Sequence, residues 1–177
     1  NYTGLAPSFI NAGSMVNNGW ELSLTYGNQT AGGLRYSVTG LVSDVRNKVT
    51  DLGGQDIIDG RTISTPGQPL RSYYGFIAEG LFQSVDEIRT APTHFPATAP
   101  GDIRYRDVSG AQGVPDGKID GFDRVIIGNN FPRYSYSLNT NLAWKGFDMN
   151  VFFQGVGKRD SYISGTGAWA FFSSDFI

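Results

Sequence analysis

One constellation in the chain has the character of a cation ligand set: Asp107, Ser109, Asp116, Lys118, Asp120 and Asp123. In an EF-hand-type loop, Asp107, Ser109 and Asp116 take positions one, three and five, and Asp120 and Asp123 take positions nine and twelve. Gly117 supplies the sharp turn, Lys118 a backbone carbonyl and Ile119 a small hydrophobic clasp. Several hard oxygens around one point suit calcium. The spacing is broken, because the Gly110–Pro115 stretch puts about five extra residues between positions three and five. The plainer reading of the same residues is a set of hydrogen-bonded Asp-Gly turns on a solvated loop, with no metal required.

Other candidates are thinner. Tyr73, Tyr74 and Phe76 could stack on a sugar, touch a partner protein or pack within their own loop. His94 is the sole histidine, with no Ser or Asp partner at a recognisable spacing, so no catalytic triad is expected and a solvated side chain is. Asp86, Glu87, Asp102 and Asp107 could pair as glycosidase carboxylates only on a rigid frame, which the surrounding polar segment does not offer. The chain is therefore not read as an enzyme. It has no cysteine, which excludes disulfides, zinc-thiolate sites and thiol nucleophiles. The net charge is −2 with no basic run, which argues against nucleic-acid binding.

The elements that must hold these residues read as all-β. Tyr134, Tyr136, Leu138, Leu142 and Trp144 alternate with Ser135, Ser137, Asn139, Asn141 and Ala143, the period of a two-faced strand. Lys145-Gly146 is a two-residue turn, after which Phe147, Met149, Val151 and Phe153 alternate with Asp148, Asn150, Phe152 and Gln154. Upstream, Trp20, Leu22, Leu24 and Tyr26 form a shorter arm, Gly27–Gly33 a polar turn, and Leu34 to Ser43 a second arm. Strands of about ten residues with aromatic ends match the walls of a transmembrane barrel. Only 17% of residues are charged and 14% are aromatic, which suits a protein that shows apolar surface to something other than water. No apolar run is long enough for a transmembrane helix, and a barrel would not contain one.

Between the hairpins lies a segment of about 87 residues, 46–132, longer than compact soluble domains carry. Ser72–Phe82 reads as a strand or bent ribbon. Ser84-Val85-Asp86-Glu87 is a capping box opening a short helix to about Arg89. Pro92, Pro96 and Pro100 forbid regular structure after it. Barrels pair short periplasmic turns with long extracellular loops. The expected organisation is thus barrel strands with a short periplasmic turn over 1–45, a long extracellular loop over 46–132, and a strand hairpin leading into another loop over 133–177. No signal peptide opens the sequence, and it stops within an aromatic run, as a fragment would.

Several ordered motifs resemble one family. Asn17-Asn18-Gly19-Trp20-Glu21-Leu22 is similar to a strand start, and Gly67-Gln68-Pro69-Leu70, Tyr73-Tyr74-Gly75-Phe76 and Gly80-Leu81-Phe82-Gln83 to a loop signature. Pro100-Gly101-Asp102 to Asp107, then Asp116-Gly117-Lys118-Ile119-Asp120 with Asp123-Arg124 and Ile127-Gly128, and finally Phe153-Gln154-Gly155-Val156, complete the series. In this order they resemble the C-terminal barrel region of SusC-like (RagA-like) TonB-dependent receptors of Bacteroidota. The chain departs from that pattern at Gly110–Pro115, where the family has a short Asn-Gly link.

The resemblance implies a 22-strand-type antiparallel barrel in the bacterial outer membrane, with a plug absent from this chain. It further implies import of glycans or oligopeptides driven by the TonB complex, with a SusD-like surface lipoprotein as lid. The segment would then be wall and extracellular surface in contact with outer-membrane lipid, needing no cofactor beyond a possible Ca2+ in the Asp-rich loop. The alternative is a secreted or surface β-sandwich that binds carbohydrate, with a calcium-stabilised loop. The two differ in whether the apolar stripes face a core.

Overall fold

The computed structural model describes residues 13–94 and 96–164. They are all-β apart from two short turns of helix. The strands are β1 (Ser14–Gln29), β2 (Arg35–Asp51), β3 (Ile57–Asp59), β4 (Thr62–Ser64), β5 (Ser72–Gly75), β6 (Ala78–Leu81), β7 (Ile103–Tyr105), β8 (Val125–Gly128), β9 (Arg133–Trp144) and β10 (Phe147–Lys158), with helix α1 at Val85–Thr90 and a 3-10 turn at Gly121–Asp123. They form two compact units. Among the described residues, one comprises Val16–Asn47 and 129–164; the other comprises 13–15 and Lys48–Gly128.

The first unit is a four-stranded sheet in the order β1-β2-β9-β10. Trp144 lies opposite Phe147 and Tyr136 opposite Gly155 in the β9–β10 ladder. Tyr36 lies opposite Leu142 and Ser43 opposite Ser135 in the antiparallel β2–β9 ladder. Side-chain bonds from Thr25 to Thr39 (3.0 Å) and from Asn47 to Asn17 (2.7 Å) give one register for β1 and β2, which sets Trp20 opposite Asp44.

With every register fixed, parity sorts the side chains. One face carries Trp20, Leu22, Leu24, Tyr26, Tyr36, Val38, Val42, Tyr136, Leu138, Leu142, Trp144, Phe147, Met149, Val151 and Phe153. The other carries Ser37, Thr39, Ser135, Ser137, Asn139, Asn141, Asn150 and Gln154, joined in places by hydrogen bonds. Asn150 donates to the side-chain oxygens of Asn139 (2.6 Å) and Asn141 (2.7 Å), and Asn141 donates to Ser37 (3.2 Å). The apolar face has no core beneath it. Among the described residues the buried apolar side chains are Val49, Ile63, Phe82 and Ile119, all in the second unit, while Leu24 is 67% and Phe147 78% exposed. The sheet is open: among the described residues β1 and β10 each have one neighbour.

The strands outrun their expected length upstream. β1 and β2 span 16 and 17 residues, and the turn tightens to Thr30–Leu34, where Thr30 N–H donates to Leu34 O at 2.8 Å. Gly27, expected in the turn, is a strand residue pressed against β2. The Asn17–Leu22 motif, expected to open a strand, lies inside β1. An added Cβ at Gly19 would come within 2.6 Å of the Asp44 carbonyl oxygen, so this close approach needs glycine. Downstream, β9 and β10 meet at Lys145-Gly146, with φ of 48° and 86°. Two positive φ values make the primed turn that matches strand twist.

The second unit holds a small sheet, β3-β4-β5-β8, and the β6–β7 pair. The expected ribbon over Ser72–Phe82 is bent into two strands that join different sheets. α1 begins where its capping box places it. Ser84 Oγ accepts from Glu87 N–H at 3.3 Å, and the Glu87 carboxylate accepts from Gln83 N–H at 2.9 Å.

Candidate functional site

The Asp-rich loop folds around its aspartates by giving them backbone N–H groups. Asp123 is fully buried at the end of the 3-10 turn. Its Oδ1 accepts from Val108 (2.9 Å) and Ser109 (3.1 Å), and its Oδ2 accepts from Asp120 (2.8 Å). Burial pushes this carboxyl up. The three N–H donors, with the Asp107 side chain beside it, outweigh burial and hold it below the usual carboxylate range. Asp107 Oδ2 accepts from Gly117 N–H at 2.7 Å. Asp116 Oδ1 accepts from Lys118 N–H (3.0 Å) and Asp120 Oδ1 from Phe122 N–H (2.8 Å).

The Gly110–Pro115 insertion does not separate Asp107 from the rest. It turns back on itself through a Gly113 to Gly110 bond of 2.9 Å and returns Asp116 against Gly110. Ser109 contributes its N–H to Asp123, and its hydroxyl lies 3.5 Å from Gly110 O. The Lys118 side of the loop is fastened to the proline segment. Thr93 N–H donates to Gly117 O and Ile119 N–H donates to Thr93 O, both at 2.8 Å. Among the described residues, no three His, Cys, Asp or Glu side chains gather so as to hold a metal ion.

The aromatic candidates are packed within their own unit. Phe76 meets Tyr105 (ring centroids 5.4 Å apart) and His94 (6.4 Å), and His94 meets Tyr105 edge-on at 5.0 Å. The histidine expected to be solvated is thus half-buried in a ring cluster. Tyr74 lies under Arg124, whose guanidinium is 4.5 Å from the ring centroid and donates to the carbonyls of Gly60 and Tyr74. Tyr73 is half-buried in β5, between Thr62 of β4 and Gly128 of β8.

Sequence reading missed one group. Asp44 is buried, and Arg133 grips both of its carboxylate oxygens from Nε and Nη2, the latter bond at 2.8 Å. This pair ties β2 to β9, strands whose bonded residues stand 89 apart. Asp44 on an apolar-face parity was the available signal. Tyr134 turns at φ 57°, beside this pair.

The geometry so far is a sheet whose apolar face covers nothing and whose other face is a polar ladder, with a separate loop unit. Two curated proteins are similar to this chain over most of its length. "TonB-dependent receptor P26" of Formosa agariphila is 30% identical over 169 residues, 90% of this chain and 16% of that protein. "TonB-dependent receptor P3" of the same organism is 30% identical over 164 residues, 86% of this chain and 16% of its own length. The chain belongs to the TonB-dependent receptors. No family profile matches it. It spans about a sixth of these relatives. Within a TonB-dependent receptor the open antiparallel sheet accords with a segment of a larger barrel. None of the described helices is long and apolar enough to cross a membrane, which says nothing about strands.

Proposed function

We propose that this chain is part of the wall, and one extracellular loop, of an outer-membrane transporter that imports glycans or oligopeptides. The observation that carries the reading is the uncovered apolar face of the four-stranded sheet. Tyr134 and Trp144 bound it on β9 ten residues apart, about 33 Å along the strand and about 25 Å once tilted by about 40°. That is the height of the apolar band of an outer-membrane barrel. A face of this kind left in water would aggregate, and lipid is the medium that removes the penalty.

The polar face then lines the interior. Its Asn, Ser and Thr side chains, with Arg35 and Asp148 on the same parity, offer cargo hydrogen-bond donors and acceptors. The tight turns at Thr30–Leu34 and Lys145-Gly146 face the periplasm and the 48–128 unit faces outward. There its surface is the place for a SusD-like lipoprotein lid, and the TonB complex acts through parts of the receptor outside this chain. Kinship with TonB-dependent receptors supports this assignment, as does the resemblance of its motifs to the SusC-like group. The test is fractionation of cells producing the full-length receptor, with gel mobility measured before and after heating in detergent. An outer-membrane band that shifts on heating is expected. A soluble protein with no shift overturns the proposal.

A further inference from the structure

Beyond Val42 the apolar face of β2 changes character, where its pairing with β9 ends at Ser43 and the strand itself runs on to Asp51. Asp44 comes next on that face and is buried under Arg133. Arg46 follows, 71% exposed, its Nε 3.7 Å from the same carboxylate. One carboxylate thus stands between two guanidiniums, a net charge of +1, and its oxygens are already taken by Arg133. The Arg46 side chain is open to the surroundings, and its contact with that carboxylate is a long one.

Aromatic rings mark the same level. Trp20 stands opposite Asp44, and the Arg133 guanidinium lies 5.0 Å from the centroid of the Tyr134 ring. Resting on the membrane reading above, we infer that this rim, with Arg46 as its exposed donor, is a binding site for the phosphate of an anionic lipid headgroup in the leaflet away from the tight turns. Arg46 lies two residues past Asp44, about 7 Å along the strand and about 5 Å along the membrane normal. The headgroup layer on each side of the hydrocarbon is about 5 to 7 Å deep, so the guanidinium sits within it. A guanidinium offers phosphate a two-pronged donor pair. Leu22 and Leu24, immediately below, offer the attached acyl chains an apolar bed, which a free phosphate ion would not use.

The test uses the full-length receptor in phosphatidylethanolamine nanodiscs doped with lipid A, with bound lipid A counted by native mass spectrometry. Arg46→Gln should lower retention about five-fold, the effect of one basic residue at an anionic surface. Lys145→Gln, in the tight turn at the opposite end, should leave it unchanged. Equal retention in wild type and Arg46→Gln overturns the site, as does an equal loss in Lys145→Gln. Displacement of lipid A by equimolar inorganic phosphate also overturns it, since the site would then read a free ion. Heat-shift on a gel separates the two levels of argument. A shift with unchanged retention sinks the headgroup site alone, and no shift sinks the barrel reading and the site with it.

Discussion

Removing the Asp123 carboxylate leaves the N–H groups of Val108, Ser109 and Asp120 without their acceptor inside the loop unit. Each buried donor without an acceptor costs about 1 to 3 kcal/mol, so Asp123→Ala should destabilise the loop by at least about 3 kcal/mol. Hydrogen exchange at those three amides is the direct readout, with protection expected to fall by two orders of magnitude or more. The sign of the acid response follows from the direction of the shift. The folded carboxyl titrates below the ordinary aspartate value. Its stabilisation is therefore complete above about pH 4 and is lost as pH falls through the folded value, so protection of the same amides should fade in acid. A chelator is expected to leave that protection unchanged, because the oxygens of Asp123, with one each from Asp107, Asp116 and Asp120, are already engaged by N–H donors. Exchange that rises on adding EDTA would refute this. The identities of these aspartates, and the plainer reading of them as hydrogen-bonded turns, were legible in the sequence; the longer-range bonds were not. Three of the bonds are local turns of two or three residues, and the other three reach backbone groups 10 to 15 residues away, which side-chain spacing does not encode.

At the level of elements, glycines mark where strands lie too close for a side chain. Gly155 sits opposite Tyr136, whose ring occupies the space a Cβ would fill. Gly155→Ala should cost about 1 to 3 kcal/mol by overpacking, and Tyr136→Ala in the same chain should recover part of it. Equal melting temperatures for wild type and Gly155→Ala would show that the ring moves aside freely. β9 and β10 were legible almost to the residue, since their alternation runs nearly the whole strand between a proline and a two-residue turn. β1 and β2 were read too short for a physical reason. Past Val42 the even positions of β2 become Asp44, Arg46 and Lys48, so the hydrophobic period stops while the hydrogen-bonded ladder continues. Periodicity reports the medium around a strand and not its length.

For the whole molecule, the two faces of the sheet should respond oppositely to charge. Leu138→Arg places a cation on the apolar face near the middle of β9, at a cost of about 2 to 4 kcal/mol in a bilayer, and should reduce the heat-shifted barrel band. Ser137→Arg, one residue away on the polar face, should leave that band intact; equal loss in both would mean that the faces are misassigned. The sheet also has a consequence for how such receptors diversify. Ser43 and Ser135 are paired neighbours, although the intervening chain contains a unit with its own buried residues and its own hydrogen-bonded clasps. The wall closes across that excursion as it would across a hairpin. Exchange of that excursion beyond Asp51 for a relative's insert or a short linker is therefore expected to leave Arg35–Ser43 their own partners on β9.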